Sequence, residues 1–135
     1  YCITLGAMTD TAVVGVQAAG APAVYRAWQE ETLEALDSVD TIAEGVATRV
    51  PFALPTEILQ AGLADFRLVS EDAIADAVAR LFETDRIVME GACATAVAAA
   101  LQAGDEVRGE TVVLPVSGRN ISREKFHRLL AESEY

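Results

Sequence analysis

The chain predicts an α/β fold, part of an open, mostly parallel, twisted sheet flanked by helices, and three observations carry that reading. Short β-branched runs alternate with longer stretches of helical spacing, the order that builds a parallel sheet with helices on its faces. The runs at Val13-Val14-Gly15-Val16 and Val112-Val113-Leu114 are apolar without alternation, as strands covered on both faces are. About three strands can be picked out, which is thin for such a sheet, so the sheet reads as part of a larger one.

Residues 1–12 are set apart as an irregular start, because Gly6-Ala7-Met8 matches a common cloning remnant. Tyr1 to Asp10 lacks the basic opening and long apolar stretch of a signal peptide. Residues 13–135 form the folded portion. Val13 to Gln17 predicts the first strand, and Ala18 to Ala21 a loop. Pro22 suits a first helical position, with its locked φ and missing N–H, and the helix runs on through Trp28 and Gln29. Tyr25 and Trp28 share one face of it and read as helix core or interface.

Asp37 to Asp40 is turn-like, and Thr41 to Ala47 is short and irregular around Gly45. A second helix spans Leu54 to Leu63, opened by Pro55 and closed near Gly62. Phe66 to Val69 predicts the second strand. Ser70 then caps a third helix, where Glu71 and Asp72 favour the positive helix end. Ile74, Val78, Leu81 and Phe82 follow helical spacing on its buried face. Ile87 to Met89 is a brief extended piece. Glu90-Gly91 opens a fourth helix, Ala92 to Ala103, ended by Gly104 and apolar on nearly every side, so it should be buried all round. Val112 to Val116 predicts the third strand. Ser122 caps a last amphipathic helix with Phe126, Leu129 and Leu130 facing inward.

Of the 135 residues, 52% are hydrophobic and 23% charged, the balance of a globular domain with a real core. A net charge of −11, with a single lysine (Lys125), repels phosphate backbones and argues against a nucleic-acid partner. The longest nearly apolar run, Ala92 to Leu101, is too short to cross a bilayer. Cys2 and Cys93 are placed badly for a disulfide, which fits a reducing, cytoplasmic setting. One histidine, His127, and two separated cysteines cannot assemble a zinc set, and no metal is expected. His127 reads as a surface residue of the last helix.

The third predicted strand stops at Ser117-Gly118-Arg119-Asn120. Ligands of open α/β sheets sit beyond the carboxyl ends of the strands. A serine there presents one neutral hydrogen-bonding group to a ligand ring, although turns also use serine freely.

Four stretches, in order, resemble a known family. Ser38-Val39-Asp40-Thr41-Ile42-Ala43-Glu44-Gly45-Val46-Ala47 resembles its S-V-D-T-I-A-D-G-L-A, and Leu68-Val69-Ser70-Glu71-Asp72-Ala73-Ile74 its L-V-S-E-D-E-I. Met89-Glu90-Gly91-Ala92-Cys93-Ala94 resembles V-E-G-A-G-A, and Val116-Ser117-Gly118-Arg119-Asn120 resembles L-S-G-G-N. Together they resemble the C-terminal part of the pyridoxal-phosphate (fold type II) threonine dehydratase, serine dehydratase and serine racemase family. The resemblance implies the large domain of a tryptophan synthase β-like fold, here incomplete.

It also implies roles. Ser117 would bond the pyridine nitrogen of pyridoxal 5'-phosphate, with Gly118 beside it. Glu90 would be the carboxylate near the ring, a place that a helix N-terminus also favours. Gly45 would lie with its backbone close to the cofactor, or serve as a turn glycine. Asn120 reads as a structural cap ahead of Ser122. Arg119 departs from the family pattern and either sets a cation near the ring or points to solvent. The stretch Gln17 to Ala23 lacks the acidic residues with which some relatives bind a divalent cation.

The family's Schiff-base lysine, substrate-carboxylate loop and glycine-rich phosphate loop have no match here, and Lys125 does not correspond to that lysine. The complete enzyme would eliminate water from a hydroxy amino acid, giving a 2-oxo acid and ammonia, and this chain alone would be inactive. A homo-oligomer or a missing N-terminal half is the expected partner, with no nucleic acid and no membrane. Two other readings stay open: a non-catalytic module that self-associates or binds a small ligand, and one subunit of a two-chain enzyme.

Overall fold

Val14 lies against Asp65 and Ala18 against Val69 in a parallel pair of strands, β1 (Val14–Ala18) and β2 (Asp65–Val69), in a computed structural model that describes residues 2–135. The Ala19 N–H extends the ladder by donating to the Val69 carbonyl at 2.8 Å. Six α-helices complete the described chain: α1 (Cys2–Met8), α2 (Ala23–Glu30), α3 (Ala53–Gly62), α4 (Glu71–Asp85), α5 (Gly91–Ala103) and α6 (Arg123–Glu132). Helices α2 and α3 lie in the crossover between the paired strands, which a parallel connection requires.

Local signals explain most boundaries. Pro22 stands one place ahead of α2, and its carbonyl accepts the first helical hydrogen bond, from Arg26 N–H at 2.9 Å. Pro55 falls in the first turn of α3, where its missing N–H costs nothing. Ser70 Oγ accepts from Ala73 N–H at 3.2 Å and Ser122 Oγ from Lys125 N–H at 3.1 Å, so both predicted caps are made.

The core lies around α5, which carries eight buried residues and packs against both strands and α4. Ile74 and Val78 of α4 and Leu129 of α6 are fully buried beside it. Phe82 and Phe126 meet edge to face at 5.2 Å, joining α4 to α6. On the other side Phe66 of β2 meets Tyr25 and Trp28 edge to face, at 5.7 and 5.8 Å, so these two half-buried aromatics pack α2 against the sheet. Gly15 makes room for that ring: a Cβ there would stand 3.0 Å from Phe66.

Two expectations need correction. Val112 to Val116 forms no strand, and the sheet has two strands rather than three. The apolar residues are there, but no neighbour in the described chain offers them a ladder, and Val113 is 81% exposed. Residues 2–8, expected to be irregular, form α1, whose Ile3 side chain packs over Gly62 where any side chain would collide with it. Among the described residues, no helix is long and apolar enough to cross a membrane.

Candidate functional site

The first turn of α5 is the point on which the candidate residues converge. Glu90 precedes the helix in an extended conformation, and its N–H donates to the Gly118 carbonyl at 3.2 Å. Gly118 returns the contact: its own N–H donates to Cys93 Sγ at 3.0 Å. Ser117 Oγ lies 3.8 Å from the same sulfur. The Glu90 carboxylate occupies the space where a Cβ on residue 118 would project, so only glycine fits there while Glu90 stays in place.

The segment around Gly45 reaches the same turn from the other side. A Cβ on Gly45 would stand 2.8 Å from Ala92 Cβ, and one on Gly91 would stand 2.8 Å from the Ile42 carbonyl oxygen. Both glycines therefore serve close approach between the 42–46 segment and α5. A cavity of about 170 Å³ remains between these parts, lined by Gly45, Glu90, Ala92, Asn120 and Lys125 among others. Ser117 does not line it but joins the same turn through Cys93. Ser117, Arg119 and His127 are exposed.

Residues 31–52 contain only one 3-10 turn, Glu44–Val46, yet side chains from regular elements pin them down. Glu71 Oε2, at the start of α4, accepts from Ile42 N–H at 2.7 Å and from Thr41 Oγ1 at 3.0 Å. Gln17, buried at the end of β1, donates through Nε2 to the Val46 carbonyl at 3.2 Å and accepts at Oε1 from Tyr25 N–H at 3.0 Å. From the far side, Lys125 Nζ of α6 meets Glu44 Oε1 at 2.7 Å. That hydrogen bond, with the lysine charge behind it, lowers the Glu44 carboxyl below its ordinary value. The only lysine of the chain is thus engaged with Glu44.

Sequence reasoning placed Gly45, Glu90 and the Ser117-Gly118 pair on three separate segments, and the fold brings all four residues to one helix turn. It missed three supports. Glu71 stands in a matched stretch but reads there as a helix-start carboxylate, and Gln17 reads as a strand residue. Cys93 carried a signal, since it stands where the pattern V-E-G-A-G-A has glycine. Both cysteines are free: Cys93 is buried and Cys2 exposed.

Comparison with known proteins gives a consistent neighbourhood. A sequence profile described as pyridoxal-phosphate dependent enzyme matches residues 4–118. The chain is 32% identical over 121 residues to the L-threonine ammonia-lyase of Thermotoga maritima, covering 90% of this chain and 30% of that one. It is 36% identical over 110 residues to a biosynthetic L-threonine dehydratase of Halalkalibacterium halodurans, covering 82% of this chain and 26% of that one. Among solved structures, the processed threonine deaminase isoform 2 of Solanum lycopersicum superposes with a TM-score of 0.85 at 26% identity, over 93% of this chain and 37% of that one. Serine racemase from Dictyostelium discoideum superposes with a TM-score of 0.77 at 27% identity, over 90% of this chain and 39% of that one. The chain therefore spans under a third of the length of these two curated relatives.

Proposed function

The chain belongs to the pyridoxal-phosphate dependent enzyme family, and on that premise we propose that it is the C-terminal portion of a threonine/serine dehydratase-like lyase. Its fold is that of the fold type II members, and the cofactor of the complete enzyme is pyridoxal phosphate. The observation that carries the proposal is the convergence of Gly45, Glu90, Ser117 and Gly118 on the first turn of α5.

These residues suit a pyridoxal ring. Ser117 is an exposed residue whose hydroxyl contacts the Cys93 sulfur at 3.8 Å, a weak partner that leaves the hydroxyl available to a ring nitrogen. Glycine at 45 and 118 lets both segments close on the first turn of α5, beside Ala92 and Glu90. When bound, the cofactor supplies an electron-withdrawing ring for charge that develops at the substrate α-carbon. Ser117 donates a neutral hydrogen bond and leaves the nitrogen largely unprotonated, which moderates that withdrawal and suits expulsion of a β-hydroxyl. Glu90 forms part of the wall beside the ring, held by its backbone to Gly118.

Lys125, tied to Glu44 on the far side of the cavity, is not the Schiff-base lysine in this account, and that residue lies in another part of the enzyme. The substrates proposed are hydroxy amino acids, the products a 2-oxo acid and ammonia, and the setting the cytoplasm. The exposed stretch at Val112, Val113 and Val116 favours a second feature of the reading: this chain docks against another polypeptide stretch, either the rest of the enzyme or a separate subunit.

Release of 2-oxo acid tests the proposal. The 135 residues alone, with pyridoxal phosphate and L-threonine or L-serine, release none; the full-length protein containing them does. Turnover by the isolated chain, or none by the full-length protein on either substrate, contradicts it.

A further inference from the structure

We propose that Cys93 is a positioning residue for the cofactor contact, acting through the Ser117–Gly118 peptide; the inference rests on reading Ser117 as the ring-nitrogen partner. Three observations carry it. Cys93 Sγ receives the Gly118 N–H at 3.0 Å. It lies 3.8 Å from Ser117 Oγ. It is only 9% exposed, so no competing water shell surrounds the sulfur.

The geometry turns these contacts into control of direction. The Gly118 N–H lies in the plane of the peptide that also contains the Ser117 Cα and carbonyl. Holding that N–H fixes the plane, and with it the position of the Ser117 Cα from which the side chain leaves the backbone. The next peptide is held too, because the Gly118 carbonyl accepts from Glu90 N–H at 3.2 Å. Both attachments lie within the start of α5, so the turn is clamped at two points to one rigid element.

The second contact sets the polarity of the hydroxyl. A thiol is a weak donor and a serine oxygen can accept while its own proton is donated elsewhere. With the Cys93 S–H turned toward Ser117 Oγ, the serine proton is left for an unprotonated ring nitrogen. A glycine at position 93, as in the matched pattern, offers neither contact.

The test compares Cys93→Ala, Cys93→Ser and Ser117→Ala in the full-length protein containing this chain. The readouts are pyridoxal phosphate affinity by absorbance titration and hydrogen exchange at the Gly118 amide. Cys93→Ala is expected to weaken cofactor binding about tenfold, a change of about 1.4 kcal/mol, and to speed exchange at Gly118. Cys93→Ser, which keeps a donor and an acceptor on the same carbon, recovers most of both. Affinity and exchange unchanged in Cys93→Ala, or equal losses in the alanine and serine variants, overturn the inference.

Should Cys93→Ala not fold, alkylation of Cys93 in a Cys2→Ser background decides. Saturating pyridoxal phosphate slows it under the proposal, and an unchanged rate overturns it. A silent Ser117→Ala sinks the underlying reading; an effective Ser117→Ala beside a silent Cys93→Ala sinks this inference alone.

Discussion

Glu71 shows how one side chain holds a loop that has almost no regular structure of its own. Its Oε2 accepts from both the Ile42 N–H and the Thr41 hydroxyl, while Oε1 is buried without a hydrogen-bond partner among the described residues. Glu71→Ala removes two hydrogen bonds to a charged acceptor and should cost about 1.5–3 kcal/mol, read as a lower denaturant midpoint. Glu44 works at the opposite end of the same loop through Lys125. Its carboxyl is lowered, first by that hydrogen bond, and Asp65 is lowered too, first by its hydrogen bond from Arg67. A carboxyl lowered by folding contributes stability that is full above its unfolded value and fades as pH falls through its folded value. Stability should therefore decline on acidification below the usual carboxylate range. Glu44→Gln should flatten that decline, and moderate salt should shrink the difference between the two proteins, since the pair is exposed. An acid limb identical in both proteins contradicts the role given to this pair.

At the scale of elements, what was legible is what local chemistry decides. The caps at Ser70 and Ser122, the helical spacing of Ile74 and Val78, and the β-branched run at Val14–Val16 each act within a few residues. All of them produced the expected element within about a residue or two. Val112 to Val116 carries an equally clear pattern and is not a strand, because a ladder needs a second stretch of chain and the pattern cannot supply one. The site divides the same way. Gly45, Glu90, Ser117 and Gly118 were legible from the order of four matched stretches. The Cys93 contact and the Gln17 bridge depend on how those stretches fold together; Cys93 departs from the matched pattern, but nothing local names its partner, and nothing local announces Gln17. The unpaired segment also makes a prediction. Val113 is 81% exposed, so Val113→Asp should leave thermal stability nearly unchanged while reducing concentration-dependent self-association in sedimentation. Self-association that is unaffected would remove this segment as the contact surface.

At the scale of the molecule, the proposed reading makes the chain one wall of a site. Both strands and α4 pack on α5, and the first turn of α5 collects three sequence-distant segments within reach of one another. The family match over residues 4–118 and the 26–30% share of the curated relatives fit a part whose chemistry is completed elsewhere. The net charge of −11 sets an unfavourable field for an anion, so in the proposed reading the anionic cofactor is held by directed contacts. The central claim is that Ser117 provides one of those contacts. Titration of the full-length protein with pyridoxal phosphate, comparing Ser117→Ala with the unaltered chain by cofactor absorbance, tests it most directly. Loss of a buried hydrogen bond predicts affinity lowered about tenfold with the fold intact; equal affinity and an identical cofactor spectrum would contradict the account.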